Sequence, residues 1–100
     1  MRIIALSTLK AFWLETPAYA DATEPTLAWY RHALKADWSS PKDIKCDFAS
    51  ASILKNGRVV FNIAGNKYRL IVQINYAYRI IYIRFIGTHA QYDCIDAQTI

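Results

Sequence analysis

The sequence predicts an α+β fold in which an N-terminal strand and two helices pack on an antiparallel β-meander. Helical spacing of apolar residues is confined to the N-terminal part of the chain, and alternation of the strand type follows over residues 58–86. The dipeptide Asn56-Gly57, a strong hairpin signal, stands at the start of the alternating part. Helices and strands segregated in this way are typical of the α+β class. The length of 100 residues fits one domain over residues 1–100.

The N-terminal part is predicted to contain one strand and two helices. The β-branched segment Arg2–Leu6 favours a strand. Ser7 is the expected N-cap of a short helix that ends near Thr16-Pro17. Thr23-Glu24-Pro25 is expected to open a second helix, which ends near Ala36. The expected apolar stripes are Leu9, Phe12 and Trp13 in the first helix and Leu27, Tyr30 and Leu34 in the second.

The remainder is predicted to form three main strands and a short C-terminal helical turn. Residues 37–43 have the composition of a loop, and residues 50–54 are ambiguous. Turns at 55–57, 65–66 and 76–78 precede the expected strands Arg58–Ile63, Lys67–Asn75 and Arg79–Ile86. Gly87 and Thr88 are expected to end the last strand, and Thr88 to cap a helical turn over His89–Asp93.

The net charge of +4 comes entirely from the second half of the chain. Residues 1–47 carry six basic and six acidic residues, whereas residues 48–92 carry six basic residues and no acid. Asp93 and Asp96 then reduce the excess. A segment of one sign and this length indicates an anionic partner, either a phosphate backbone or an acidic protein.

Alternation places most of these basic residues on one face of the predicted sheet, because successive strand residues point to opposite faces. The face expected under the helices contains Val59, Phe61, Ile63, Tyr68, Leu70, Val72, Ile74, Ile81, Ile83 and Phe85. The opposite face is expected to be open and to contain Arg58, Val60, Asn62, Lys67, Arg69, Ile71, Gln73, Asn75, Ile80, Tyr82, Arg84 and Ile86. Basic residues interleaved with aromatic and amide side chains can bind phosphates and stack bases. An ordinary solvated sheet face is the alternative.

The sequence does not favour a secreted or membrane protein. Residues 1–20 imitate a signal peptide that ends in Ala18-Tyr19-Ala20, but Lys10 interrupts the apolar stretch. No apolar run approaches the roughly 20 residues that a membrane helix needs. Cys46 and Cys94 form no metal-ligand cluster, and we expect free thiols in the cytoplasm and no metal site. A Cys46–Cys94 bridge in a secreted protein is the alternative.

Three segments resemble the HigB family of bacterial toxins, part of the wider RelE-like group of messenger-RNA interferases. They are Val60–Ile63, Gly65–Leu70 and Tyr82–Asp93, and the sequence of residues 87–93, Gly-Thr-His-Ala-Gln-Tyr-Asp, is specific. The resemblance implies a RelE-like fold and a metal-independent, cofactor-free endoribonuclease that cleaves messenger RNA in the cytoplasm, on the translating ribosome. It also implies a partner, a helix-turn-helix antitoxin of the HigA type, which neutralises the toxin.

With this resemblance, the basic face contains candidates for metal-free RNA cleavage. In that reaction the 2′-hydroxyl attacks the adjacent phosphorus, with the help of a base, an acid and cations for the developing charge. Arg69 and Arg84 are the candidates for charge stabilisation, and His89 is the candidate base or acid. Tyr92 is expected either to stack a base or to act as the acid. The candidate RNA-binding residues are Lys55, Arg58, Asn62, Asn66, Lys67 and Tyr82.

The sequence leaves two alternatives open, one for the role of Lys67 and one for the function of the whole chain. Lys67 is expected to hold a phosphate, but it would serve as a base if neighbouring arginines lowered its pKa. The whole chain would be a non-catalytic module if its basic face only bound RNA or an acidic protein.

Overall fold

The computed structural model describes residues 1–100 as a five-stranded sheet with the helices of residues 6–47 packed on one face. The strands are β1 (Arg2–Ile4), β2 (Ser52–Ile53), β3 (Arg58–Ile63), β4 (Tyr68–Asn75) and β5 (Ile80–Thr88). The helices are α1 (Leu6–Glu15), a 3₁₀ helix (Pro17–Ala22), α2 (Thr23–Lys35), α3 (Pro41–Asp47) and α4 (His89–Asp93). The strand order is β1-β5-β4-β3-β2, and only the β1–β5 pair is parallel. This architecture confirms the predicted α+β fold.

The turn between β2 and β3 forms at the predicted Asn56-Gly57 dipeptide. Asn56 and Gly57 have φ values of 57° and 76°, the left-handed conformation that such a turn requires. The carbonyl of Gly57 accepts a hydrogen bond from the amide of Ile74 at 2.8 Å. The turn is therefore held directly against β4.

Gly57→Ala is expected to destabilise the protein more than Gly65→Ala. The two glycines have φ values of 76° and 69°, where a side chain costs about 1–2 kcal/mol. A Cβ at Gly57 would also lie 2.4 Å from the carbonyl oxygen of Ile74, whereas a Cβ at Gly65 would meet nothing within 4 Å. Urea denaturation of both variants measures the difference in the free energy of unfolding. Equal losses would show that the close approach at Gly57 has no energetic consequence.

The core lies between the helices and one face of the sheet, as alternation predicts for β3 and β4. Buried on this face are Val59, Phe61, Ile63, Tyr68, Leu70, Val72 and Ile74. The predicted stripe of α2 is confirmed only in part: Leu27 and Tyr30 are half-buried and pack against the core, whereas Leu34 is exposed. The fully buried residues of the helix are Thr26, Trp29 and Ala33. The ring of Trp29 packs 5.3 Å from that of Phe61, and this large contact determines which side of α2 faces the sheet.

Two helix starts differ from the prediction. α1 begins at Leu6, so that Ser7 lies inside the helix and Ala5 is at the N-cap without a side-chain hydrogen bond. α3 occupies Pro41–Asp47, of which residues 41–43 were predicted to be loop. Its start is stabilised by the carboxylate of Asp43, which accepts hydrogen bonds from the amide and the hydroxyl of Ser39, both at 2.9 Å. These bonds hold the pKa of Asp43 below its ordinary value.

A β-bulge in β5 is the largest departure from the predicted sheet. Ile71 on β4 pairs with Phe85, whereas the next residue, Val72, pairs with Ile83. Arg84 is therefore the extra residue of the bulge. Because paired residues share a face, Phe85 lies with Ile71 on the face away from the helices, where Arg84 was also expected.

The bulge reverses the predicted faces of Phe85 and Ile86. Ile86 pairs with Leu70 and packs against the core instead of facing away from it. β5 also continues through Gly87 to Thr88, so the expected strand break at Gly87 is wrong. The predicted cap is confirmed, since the hydroxyl of Thr88 accepts a hydrogen bond from the amide of Gln91.

The face opposite the helices is not fully open, contrary to the prediction. Ile71 is completely buried there and Arg58 is only 8% exposed. Residues 96–100 form a turn, named here the 96–100 turn, that returns to this face. The side-chain amide of Gln98 donates to the carbonyl of Lys55 at 2.8 Å and accepts from its amide at 3.0 Å. The 96–100 turn is thus fastened to the strand connection that precedes β3.

The N-terminal segment that imitates a signal peptide contributes to the core through Leu9 and Trp13. Cys46 and Cys94 are both exposed free thiols rather than a bridge. None of the helices combines the length and the apolar composition needed to cross a lipid bilayer.

Candidate functional site

A cluster around Arg69 lies where β4 approaches α4. The Nη1 of Arg69 donates to the Oδ1 of Asn66 at 2.5 Å and also to the Oδ1 of Asn62. The guanidinium carbon lies 5.6 Å from the centre of the Tyr92 ring, within the range of a cation–π interaction. Two amide oxygens and one aromatic ring therefore fix the orientation of this guanidinium, which has no carboxylate partner.

The local sequence explains why α4 begins beside Arg69. Gly87 pairs with Arg69 across the sheet, and a Cβ at Gly87 would lie 2.8 Å from the Oε1 of Gln91. That same Oε1 accepts a hydrogen bond from the amide of Thr88 at 2.9 Å, while the Thr88 hydroxyl accepts from the Gln91 amide at 3.1 Å. This reciprocal cap starts the helix immediately after β5. The glycine and the cap together bring Tyr92 to the guanidinium.

His89 stands at the start of α4 and is oriented by a carboxylate. Its Nδ1 lies 3.0 Å from the Oδ2 of Asp93, one helical turn later. When Nδ1 donates to this carboxylate, Nε2 keeps its lone pair and can accept a proton. The ring is 6.5 Å from that of Tyr92. The sequence reasoning missed Asp93 as a partner, although the i,i+4 spacing from His89 would have indicated it.

Lys67 is paired with an acid from the N-terminal part of the chain. Its Nζ donates to the Oδ2 of Asp21, and the hydroxyl of Tyr68 donates to Oδ1 of the same carboxylate. These bonds hold the pKa of Asp21 below its ordinary value and raise the pKa of Lys67. A lysine with a raised pKa remains protonated near neutral pH. The lowered pKa that the alternative of Lys67 as a base requires is therefore not present. The carbonyl of Lys67 accepts a hydrogen bond from the amide of His89 at 3.2 Å.

Arg58 and Arg84 form a second group, further along the same face and against the 96–100 turn. The Nη1 of Arg58 and the Nε of Arg84 both donate to the main-chain oxygen of Ile100, the latter at 3.3 Å. Arg58 is buried, whereas Arg84 is exposed. The structure thus brings Arg84 to Arg58, and Arg84 has no hydrogen-bond partner in common with Arg69.

Tyr82 and Gln73 pair between β5 and β4 and line a depression of about 510 Å³. The side chain of Tyr82 is 37% exposed, so part of its ring is accessible for stacking. The amide of Gln73 donates to the carbonyl of Asn56 at 3.3 Å. Lys55, at the neighbouring turn, is exposed. These residues extend the polar part of the face beyond the two arginine groups.

Acids from the first half of the chain neutralise part of the basic segment. Lys67 pairs with Asp21, and Arg79 pairs with Asp37 at 2.5 Å. The basic residues between 48 and 92 that pair with no Asp or Glu side chain are Lys55, Arg58, Arg69 and Arg84. All four were predicted to be site residues. The chain contains no group of three or more His, Cys, Asp or Glu side chains that could hold a metal ion.

Comparisons with known proteins agree with the segment that carries this site. A family model described as the RelE-like toxic component of a toxin-antitoxin system, HigB_toxin, matches residues 22–95. A curated protein from Escherichia coli O6:H1, described as mRNA interferase HigB, is 30% identical over 66 residues. That alignment covers 64% of this chain and 64% of the relative, so the chain spans less than two thirds of the relative's length. The family match includes every strand and helix that positions the Arg69 cluster.

Proposed function

Because the chain belongs to the HigB family of RelE-like toxic components of toxin–antitoxin systems, we propose that it cleaves messenger RNA by a metal-independent reaction. The observation that carries this proposal is the Arg69 guanidinium, which is fixed by two asparagines and Tyr92 and has no carboxylate partner. The printed description of the Escherichia coli relative, an mRNA interferase, supports the same activity. We propose that residues 1–100 act as a single RelE-like domain.

In the proposed reaction the 2′-hydroxyl of one nucleotide attacks the adjacent phosphorus and displaces the 5′-oxygen of the next. Negative charge develops on the phosphorane oxygens. The asparagines use only Nη1 of Arg69, so Nε and Nη2 remain available as a planar fork for two of these oxygens. Arg84, on the same face of the sheet, supplies a second guanidinium to the RNA.

We assign the removal of the 2′-hydroxyl proton to His89. Hydrogen bonding to Asp93 favours the tautomer in which Nε2 is the acceptor, and the carboxylate stabilises the imidazolium that forms. Tyr92 orients Arg69 through its ring, and its hydroxyl has no hydrogen-bond partner within the chain. That hydroxyl is the group we assign to protonation of the leaving 5′-oxygen.

The remaining candidate residues provide the RNA path. Asn62 and Asn66 turn their oxygens to Arg69, which leaves their amide NH₂ groups as donors. Lys55 and Arg58 add positive charge that no Asp or Glu side chain neutralises, and the ring of Tyr82 offers a stacking surface. Lys67 contributes a cation that is already shared with Asp21. We propose that this path receives messenger RNA on the ribosome, in the cytoplasm, and that a HigA-type antitoxin neutralises the protein.

Induced expression is expected to arrest growth and to create new 5′ ends within messages. Co-expression of a HigA-type antitoxin should relieve the arrest. Purified protein that has been stripped of bound metal with a chelator and then separated from the chelator should still cleave messages on ribosomes. A substrate with a 2′-deoxynucleotide at the cleavage position should remain intact, because it lacks the attacking hydroxyl. The competing function, a non-catalytic binding module, predicts salt-dependent RNA binding without any new 5′ ends.

A further inference from the structure

We propose that the depression beside Tyr82 is a subsite for an unstacked nucleobase of single-stranded RNA and that Arg2 binds the phosphate next to that base. The base belongs to a nucleotide other than the one at the Arg69 cluster, because Gln73 lies four residues along β4 from Arg69, about 13 Å at the rise of an extended strand. This inference rests on the proposed function and extends it, because it adds the recognition of a base and a cation from outside the basic segment.

The depression lies where Tyr82 and Gln73 pair between β5 and β4, next to the turn that connects these strands. Its lining also includes Asn75, Tyr76 and Ala77. Its volume of about 510 Å³ falls within the roughly 300–1,000 Å³ of small-molecule sites. The side chain of Tyr82 is partly exposed, and an aromatic ring can stack on any base because every base has a π-face. The volume and the ring therefore fit one base that has left its stack.

The side-chain amides of Gln73 and Asn75 are each oriented by one hydrogen bond and keep other groups for a ligand. The Nε2 of Gln73 donates to the carbonyl of Asn56 at 3.3 Å, which leaves its Oε1 as an acceptor. The Oδ1 of Asn75 accepts from the amide of Tyr78 at 3.1 Å, which leaves its Nδ2 as a donor. The edge of a base presents donors and acceptors together, so it can satisfy both amides. A phosphate has only acceptors and would leave the Oε1 of Gln73 unpaired.

Arg2 is a cation that the pairing of β1 with β5 brings to the same end of the same face. It pairs with Ile80 of β5, and Ile80 pairs with Asn75 of β4. Because paired residues share a face, Arg2 lies two strands from Asn75, about 10 Å away. It is exposed and pairs with no Asp or Glu side chain. A strand whose base enters the depression would therefore have this guanidinium beside its backbone.

Tyr82→Ala is expected to weaken the binding of a base at least about fivefold, the lower end of what stacking on one aromatic ring contributes. The probes are two DNA oligonucleotides of equal length, one abasic throughout and one abasic except for a single central base. DNA is used because it cannot be cleaved through a 2′-hydroxyl. Only the strand with the base should bind Tyr82→Ala more weakly, and Tyr82→Phe, which keeps the ring, should behave as the wild type.

Tyr78→Ala is the matched control for the loss of a tyrosine, because Tyr78 is 76% exposed in the neighbouring turn and does not line the depression. Equal weakening of both strands by Tyr82→Ala, or no weakening by the folded variant, would overturn the base subsite. Equal weakening would assign the face to phosphate alone. In the wild type, the side-chain amide signals of Gln73 and Asn75 in nuclear magnetic resonance spectra should shift with the single-base strand only. The same shifts with the abasic strand would also overturn the subsite.

Arg2→Ala is expected to weaken the binding of both strands equally, because it removes a phosphate contact and no base contact. The slope of log affinity against log salt concentration should fall by about 0.7, the share of one phosphate contact on a single strand. Arg31→Ala removes the same charge from an exposed position on α2 and should leave the slope unchanged. An unchanged slope for folded Arg2→Ala would overturn the phosphate contact.

These results separate the base subsite from the proposed function. Cleavage by the wild type, combined with equal binding of both strands by Tyr82→Ala and the wild type, would refute the subsite and leave the ribonuclease intact. Absence of cleavage, combined with a loss in Tyr82→Ala that only the strand with the base shows, would refute the ribonuclease and leave the subsite intact.

Discussion

Arg69→Ala is expected to lower the rate of RNA cleavage by about a hundredfold to a thousandfold, the usual effect of removing one preorganised donor from a developing oxyanion. The guanidinium is held by Asn62, Asn66 and Tyr92 before substrate arrives, so its hydrogen bonds to the phosphorane require no reorganisation. The measurement is the initial rate with a defined RNA on ribosomes, together with growth after induction. Arg69→Lys keeps the charge but not the planar fork, and should restore only part of the rate.

Arg31→Ala is the matched control for this substitution. Arg31 lies on α2, is exposed, and its ion pair with Glu24 is long, at 3.7 Å. Its removal changes the net charge by the same amount and should leave cleavage unchanged. Cleavage by folded Arg69→Ala within about threefold of the wild type would contradict the assignment, because the loss expected for such a donor is far larger.

Phe61→Ala is expected to lower the free energy of unfolding by about 3–5 kcal/mol, a large part of the total stability of a small domain. Phe61 is 1% exposed and lies at the centre of an aromatic cluster. The ring centres of Trp29 and Phe48 lie 5.3 Å from its own, and that of Trp38 lies 6.0 Å away. The substitution removes the ring on which α2, α3 and the loop between them rest, so a cavity remains that rigid neighbours cannot fill.

Chemical denaturation followed by tryptophan fluorescence measures this loss, since the two tryptophans are direct neighbours of the ring. Tyr78→Ala is the control: the side chain is 76% exposed in the turn before β5, and its loss should change stability by no more than about 0.5 kcal/mol. A decrease of less than about 1 kcal/mol for Phe61→Ala would contradict a central role for the cluster.

Strands β3 and β4, in the middle of the sheet, were predictable because the alternation of apolar and polar residues within each strand specifies it. β3 was predicted with its observed bounds, and β4 within one residue. In β4 the apolar residues Leu70, Val72 and Ile74 alternate with Arg69 and Gln73. Such a pattern specifies both the strand and its buried face, since a slip by one residue would bury the charges.

In β5 the alternation of apolar and polar residues is missing, so its buried face could not be predicted. Residues 80–86 contain bulky apolar side chains at nearly every position, so either face of the strand is acceptable to the core. The sequence pattern of β5 therefore does not reveal the bulge at Arg84, and the predicted faces of Phe85 and Ile86 were wrong. Pairing with β4 determines which residues of β5 face the core, and this pairing depends on both strands rather than on the sequence of β5 alone.

The buried side of helix α2 was also not fully predictable from its sequence. The bounds of α2 followed from its first turn and its last residues, but its most deeply buried residues did not, because Leu34, which is exposed, is more apolar than the buried Thr26 and Ala33. Packing of Trp29 on the sheet outweighs these differences in hydrophobicity. Contact with a large partner, rather than residue type, determines the orientation.

The sequence by itself determined that this protein is an α+β chain with a basic, acid-free sheet region and a HigB-like segment around Gly87–Asp93. Only the tertiary structure decided which of those cations are free to meet an anion. Lys67 and Arg79 are neutralised by Asp21 and Asp37, partners 46 and 42 residues away in the chain. Coulombic pairing depends on distance in space, whereas periodicity in a sequence reports only neighbours a few residues apart. Lys55, Arg58, Arg69 and Arg84 were therefore identifiable as the basic residues of this segment without an Asp or Glu partner only after the chain had folded.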